Sequence, residues 1–182
     1  MKTLETIQTL SKIGKIFSKI IFICCIVGLC GCGVGLMALL IGADVVKFGG
    51  LTLHSILEVE AGISTGTVLA SITAGAILCI GELVVSRMAG AYFEKELAAG
   101  TPFTFDGAGE LLHLGIRLIW IPIVTVVLAQ LTHGVIDQFF TNVEKLDLDG
   151  YTSVGLGVMC ILMSLLCKYG AECVEKSRND FP

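Results

Sequence analysis

Charged side chains are scarce in this sequence. Asp, Glu, Lys and Arg make up only 15% of the 182 residues, whereas 54% are hydrophobic and the mean hydropathy is +0.88. An ordinary soluble domain carries about 25% charged residues. Because the deficit is concentrated in blocks, it excludes an ordinary soluble domain and predicts an integral membrane protein with a single domain.

Signatures of familiar chemistry are missing as well. The sequence has no HExxH, nucleophile elbow, P-loop or GxGxxG motif. It has no basic stripe with interleaved aromatic residues, and its net charge is −4, so nucleic acid is not expected as a partner. We therefore expect a protein that is not an enzyme and that has no resident cofactor or metal.

The eight cysteines form no recognisable motif. No CxxC pair exists, and on a helix the CCxxxxC and CxC spacings place the sulfur atoms on several faces. We interpret these cysteines as small apolar residues that let helices approach one another, with a metal or redox role as the alternative. Seven of them lie inside hydrophobic runs: Cys24, Cys25, Cys30, Cys32, Cys79, Cys160 and Cys167.

What the sequence does contain is four long runs without a charged residue. Ile20–Ala43 has 24 residues, Ala61–Gly81 has 21, Leu118–Ile136 has 19 and Gly150–Cys167 has 18. A helix rises about 1.5 Å per residue, so each run can cross the roughly 30 Å hydrocarbon core of a bilayer. Backbone in lipid must satisfy its own hydrogen bonds. The predicted fold class is therefore an all-α membrane protein, a bundle of four transmembrane helices.

The predicted layout is one membrane domain over residues 1–182. Residues 1–17 form an amphipathic lead-in, since apolar residues recur there at helical spacing beside a basic face. The spans are residues 18–42, 62–86, 111–132 and 151–169. Outer loops 43–61 and 133–150 and inner loop 87–110 connect them, and residues 170–182 form a tail.

Lys and Arg are distributed unevenly about these spans. If both termini are inside, the inner segments hold ten of the twelve basic residues, and the outer loops hold only Lys47 and Lys145. Cytoplasmic segments of membrane proteins are enriched in Lys and Arg. The sequence therefore predicts a multi-pass protein of the cell (plasma) membrane with both termini in the cytoplasm.

The two outer segments are too apolar for free loops. In the second, Ile136, Phe139, Phe140 and Val143 follow i, i+3, i+4, i+7 spacing. That spacing is typical of a short helix lying on the membrane surface. We expect the two outer loops to pack together as a small outer cap.

The inner loop carries clear turn signals. Gly100 is expected to end the second helix, because glycine readily takes the left-handed conformation, and Pro102 blocks continuation. Thr104 or Asp106 is then placed to cap the start of the third helix.

Two segments resemble those of a known family. GTPF at residues 100–103 is followed by Thr104 and the leucine-rich ELLHLGIRL, and YGAECVEKSRND follows the last span. Together with four spans they resemble an uncharacterised bacterial family of small four-span membrane proteins, which has an inner-loop G-x-PFT motif and a C-terminal YGAEL-like segment. Here Cys173 replaces a leucine, and residues 105–107 replace an acidic-Asn pair. The resemblance implies the four-span layout, but no activity, substrate or cofactor.

Ionisable residues at membrane depth are the first candidates for a functional site. Glu82 lies near the end of the second span and Arg117 lies in the third, both near the inner leaflet. We predict that they form an intramembrane ion pair, with a structural role or a role in a proton or substrate relay as the alternatives.

A weaker group of candidates lies at the outer cap. His133 and Asp137 are four residues apart and could share a metal with His54 or Glu58 of the other outer loop. Polar residues at the membrane surface are the commoner explanation of such a group.

Glycines form the third pattern. Gly28, Gly31 and Gly35 lie in the first span, and Gly62 and Gly66 begin the second. Small residues at this spacing let two helix backbones approach closely. They predict a face that packs the first helix against the second, or against a second copy of the protein.

The sequence favours a non-enzymatic membrane protein that acts through a membrane protein partner or as a homo-oligomer, with membrane lipids around it. One alternative is a small transporter or channel-like protein that uses the Glu82/Arg117 region. Another is a membrane enzyme or lipid-handling protein with its site at the outer cap, around His54, His133 and Asp137.

Overall fold

Four long helices follow one another in the computed structural model, which describes residues 2–41, 47–48, 51–52, 65–100, 103–140, 143–145 and 154–180. The helices are α1 (Lys2–Ile41), α2 (Thr65–Ala99), α3 (Phe105–Phe139) and α4 (Val154–Asp180). Between α1 and α2, two short antiparallel strands pair, β1 (Lys47–Phe48) and β2 (Leu51–Thr52).

All four helices are long enough and apolar enough to cross a bilayer. Many of their large hydrophobic side chains point outward; Leu40, for example, is 80% exposed and Trp120 is 62% exposed. Exposing such a surface to water is costly, whereas lipid tails are as apolar as the side chains themselves. The predicted fold class is confirmed: the protein is an all-α, multi-pass membrane protein built as a four-helix bundle.

α1 joins the predicted lead-in and the predicted first span in one helix of 40 residues. Gly14 lies inside it, although glycine weakens a helix by about 1 kcal/mol relative to alanine. A Cβ atom on Gly14 would lie 2.6 Å from Cζ of Phe93 in α2. The absent side chain therefore makes room for an aromatic ring of the neighbouring helix.

The predicted turn between the second and third helices is confirmed at both ends. Gly100 has φ 74°, and its N–H donates to the carbonyl oxygen of Glu96 at 3.0 Å. Thr104 caps α3, since its Oγ1 accepts a hydrogen bond from the backbone N–H of Gly107 at 3.0 Å. Pro102 lies outside the described residues.

The separate surface helix predicted around Ile136 is wrong. α3 continues without interruption through Phe139, and residues 143–145 that follow are not helical. Of the apolar residues that indicated a second helix, Ile136 and Phe139 continue the periodicity of α3, whereas Phe140 and Val143 lie beyond its end. Most of the residues predicted to form the outer cap lie outside the described residues.

The helices pack in chain order, α1 on α2, α2 on α3 and α3 on α4. Contacts run in opposite directions along each pair: in α1 and α2, Gln8 donates to the carbonyl oxygen of Gly100 near one end, and Gly35 faces Ile72 near the other. Neighbouring helices are therefore antiparallel. Within the described ranges no extensive contact joins α1 to α4, so the helices form an open row.

The α2–α3 seam is tightly packed at Gly81, where a Cβ atom would collide with the side chain of Thr125. Thr125 cannot easily turn aside, because its Oγ1 donates to the carbonyl oxygens of Ile121 at 3.0 Å and Pro122 at 2.9 Å. The fit between these two helices thus requires glycine at this position.

Among the described residues, α4 packs mainly against the N-terminal half of α3. The hydroxyl of Ser164 donates to the carbonyl oxygen of Ala108 at 2.8 Å, and a Cβ atom on Gly157 would lie 2.9 Å from the carbonyl oxygen of Gly115. The second half of α3 therefore extends past the start of α4, and α4 is displaced along the bundle relative to the other three helices.

We expect Gly81→Ala to destabilise the protein by about 1–3 kcal/mol, because one added methyl group overpacks the α2–α3 seam. Gly33→Ala is the matched control, since Gly33 has nothing within 4 Å of its Cβ position. Thermal unfolding in detergent measures both. Equal stability of the two variants would contradict the packing described for Gly81.

Candidate functional site at the polar end of the bundle

Charged side chains gather at one end of the bundle, which we call the polar end. It comprises residues 2–19, 87–100, 103–117 and 168–180. The 35 residues of α2 measure about 52 Å, against a hydrocarbon core of roughly 30 Å. Part of each of the first three helices must therefore lie outside the hydrocarbon, and the charged segments are that part.

Two ion pairs connect neighbouring helices at the polar end. The Nζ atom of Lys15 lies 3.0 Å from Oε1 of Glu94 and joins α1 to α2, and Lys95 pairs with Glu110 to join α2 to α3. The hydrogen bond and the charge of Lys15 lower the pKa of Glu94. Exposed pairs of this kind contribute little to stability, so their main effect is to orient the helices.

A cluster of buried side chains surrounds Tyr92 at the polar end. The ring of Tyr92 packs with Ala108, Leu111 and Leu114 of α3 and with Cys167 of α4. Three helices therefore meet at one aromatic side chain of α2. No local pattern in the sequence marks Tyr92 for this role, because its neighbours come from distant parts of the chain.

Glu96 lies one turn beyond Tyr92 and is half-buried where α2 faces α1. The hydroxyl groups of Ser11 and Tyr92 lie within hydrogen-bonding reach of its carboxylate and favour the charged form. Burial nevertheless raises the pKa of Glu96, because the loss of water outweighs these two hydrogen bonds. The sequence analysis missed this residue, since its partner Ser11 is remote in sequence.

The predicted ion pair between Glu82 and Arg117, both described residues, is not formed. Gly81 meets Thr125, which lies eight residues, or about 12 Å, along α3 from Arg117. Glu82 is the next residue after Gly81 and is rotated by about 100° away from the seam. The two side chains therefore differ both in depth and in direction.

Each member of the predicted pair has other neighbours. Glu82 lies on the α1 side of α2, near Cys25. The Nη1 atom of Arg117 approaches the sulfur of Met88 at 3.8 Å. Depth counted from predicted span boundaries placed the two residues level, whereas side-chain packing sets the actual register.

The candidates at the predicted outer cap are only partly described. His54 and Glu58 lie outside the described residues. Nε2 of His133 lies 2.7 Å from the carbonyl oxygen of Glu144, and Asp137 is exposed. In the part of the chain that the structure describes, no group of three His, Cys, Asp or Glu side chains is arranged to hold a metal.

The glycines of the predicted packing face lie in different surroundings. Gly28 and Gly35 pack α1 against α2, since Cβ atoms there would lie 3.0 Å from Sγ of Cys79 and 2.9 Å from Cδ1 of Ile72. Their missing side chains let these two helices approach.

The other glycines of that face do not join this seam. Gly66 packs against Phe140, the residue that follows α3, instead of against α1. No described residue comes within 4 Å of the Cβ position of Gly31, although it is one turn from Gly28 and from Gly35. Gly62 lies outside the described residues. The two glycines of the GxxxG pair therefore differ: Gly35 packs against α2, whereas no described residue contacts the Cβ position of Gly31.

Comparison with known proteins adds no relative: no family model, no curated protein and no solved structure matches the chain. The resemblance to the bacterial four-span family stays a prediction. Functional conclusions rest on the residues described above.

We expect the stability losses of Glu82→Gln and Arg117→Gln to add within about 0.5 kcal/mol, because the side chains have no shared partner. Thermal unfolding of the two single variants and of the double variant in detergent measures the coupling. If the double variant is clearly more stable than the sum of the two single losses predicts, the two side chains interact and the ion pair is supported.

We expect Glu96→Gln to alter how stability depends on pH. A carboxyl group whose pKa is raised by folding adds stability below its ordinary pKa, and that stability is lost as the pH rises through the raised value. The stability of Glu96→Gln should therefore fall less than that of wild type as the pH rises above the ordinary glutamate pKa. Glu94→Gln is the matched control. Because the pKa of Glu94 is lowered, this variant should lack a contribution to stability that wild type loses as the pH falls. Thermal midpoints over a range of pH measure both, and parallel curves for wild type and Glu96→Gln would contradict the burial of Glu96.

Proposed function

We propose that the protein is a non-enzymatic, multi-pass protein of the cell membrane that acts by self-association, through the flank of α1 that carries Gly31, beside its seam with α2. Among the four helices α1 has the most apolar span and the least covered one. Only 6% of its apolar window is buried, against 17% in α2 and in α3.

Gly31 is the observation that carries this proposal. It lies within the span of α1 with open space at its Cβ position. A glycine there gives up helix propensity of about 1 kcal/mol relative to alanine, and among the described residues it gains no packing in return. It does allow the backbone of a second helix to come close, which is how small residues promote helix association in lipid.

The orientation belongs to the same proposal. We place the polar end and both termini in the cytoplasm, because ten of the twelve Lys and Arg residues lie in segments on that side and only Lys47 and Lys145 lie on the other. Self-association would then bring two polar ends together at the cytoplasmic surface.

The transporter alternative depended on Glu82 and Arg117 lying at one depth in a shared pathway. Because that pair is not formed, no specific observation favours a transporter, and we do not propose one. The alternative site at the outer cap depended on His54, which is not among the described residues, so it is not proposed either.

We expect Gly31→Leu to weaken self-association in lipid about tenfold, which corresponds to about 1.4 kcal/mol. The fold of the single chain should survive, because the new side chain meets open space. Energy transfer between labelled chains in liposomes, measured over a range of protein-to-lipid ratios, reports the association.

Gly33→Leu is the matched control for this experiment. Gly33 is equally open but lies about 200° around the helix from Gly31, so association should be preserved. A wild-type protein that stays monomeric, or equal association of Gly31→Leu and wild type, would refute the proposal.

A further inference from the structure

A recess of about 310 Å³ opens between α2 and α3 where the polar end meets the membrane span. It combines charged groups with apolar walls, and both helices contribute to it. Its lining includes Met88, Lys95, Glu110, His113, Leu114 and Arg117.

The charges in this recess do not cancel. Lys95 and Glu110 pair with each other. Within the described residues Arg117 has no carboxylate at ion-pair distance, and its Nη1 atom approaches only the sulfur of Met88, a weak acceptor, at 3.8 Å. A guanidinium group has five N–H donors in a planar fork that matches a phosphate group. The recess therefore holds an exposed cation whose donors lack strong acceptors.

His113 lies four residues before Arg117, so both side chains project on nearly the same side of α3. The imidazole can donate a further hydrogen bond to an anion held by Arg117. Glu110, the acidic group of the recess, is already engaged by Lys95. An anion would therefore be accepted at the Arg117 side of the recess.

The depth of Arg117 is that of a lipid headgroup. It is the last charged residue before the charge-free run Leu118–Ile136. Trp120 follows one turn later and is 62% exposed, and tryptophan is enriched at the membrane–water interface. The recess thus faces the level at which phosphate groups of one leaflet lie.

We propose that this recess binds the headgroup phosphate of an anionic phospholipid. Arg117 donates to the phosphate oxygens, His113 lies beside it, and the acyl chains follow the apolar surface of α3 toward Trp120. The bilayer itself holds lipid phosphates at this depth, which favours a lipid over a phosphate ion from solution. The inference is independent of self-association, because one chain supplies the whole recess.

Trp120 is the only tryptophan in the chain and reports on this lipid directly. Brominated lipids quench nearby tryptophan fluorescence, so the full chain is placed singly in phosphatidylcholine nanodiscs that contain brominated phosphatidylglycerol or, for comparison, brominated phosphatidylcholine. We expect about a tenfold preference for the anionic lipid, as one charged hydrogen-bonded contact provides. Equal quenching by the two lipids in wild type would overturn the proposal by itself.

Arg117→Gln should abolish this preference, and Arg117→Lys should keep part of it, because the charge remains without the planar fork. Arg87→Gln is the matched control: Arg87 adjoins Met88 and is therefore level with Arg117, but it points about 100° away and does not line the recess. We expect Arg87→Gln to retain the preference. Equal losses in Arg87→Gln and Arg117→Gln would show a general effect of surface charge and overturn the site.

Adding inorganic phosphate distinguishes a lipid headgroup from a free phosphate ion as the anion in the recess. Millimolar phosphate added to wild type with brominated phosphatidylglycerol should leave the quenching unchanged. Relief of quenching by phosphate, at constant ionic strength, would show that the recess takes free oxyanions and would overturn the lipid assignment. If Arg117→Gln does not fold, the wild-type comparison and Arg117→Lys still decide between these outcomes.

Discussion

Close approach of helix backbones at small residues is the constraint on which this structure depends. Lipid tails are as apolar as the side chains, so helices in a membrane gain little by hiding hydrophobic surface from one another. Their association must come from van der Waals packing, which is strongest where no side chain separates two backbones. Gly157 against Gly115 is such a place, and at Gly81 only the small side chain of Thr125 separates the two backbones.

Those contacts also set which residues of different helices lie level with one another. Once Gly81 faces Thr125, Arg117 must lie opposite Met88, and Glu82 is carried to the α1 side of the seam. Separating two opposite charges leaves Arg117 exposed near the start of a charge-free run. Arg117, which the sequence analysis pairs with Glu82, is therefore available to a ligand.

The two ends of the bundle differ in how they are held together. At the polar end, hydrogen bonds, ion pairs and the cluster around Tyr92 connect all four helices. Farther along, α3 extends past the start of α4, and the Cβ position of Gly31 in α1 has no neighbour among the described residues. The proposed lipid contact and the proposed contact between copies therefore use different parts of the molecule, and each can change without the other.

The sequence by itself determined the number of helices, their approximate positions and the turn between Gly100 and Thr104. These features depend on local hydropathy and on capping groups within a few residues of each other. Only the tertiary structure decided that Ser11 approaches Glu96 and that Gly31 and Gly35 of one motif face different surroundings. The physical reason is that register and rotation between helices depend on how side chains fit across a seam, and the residues that must fit are far apart in the chain.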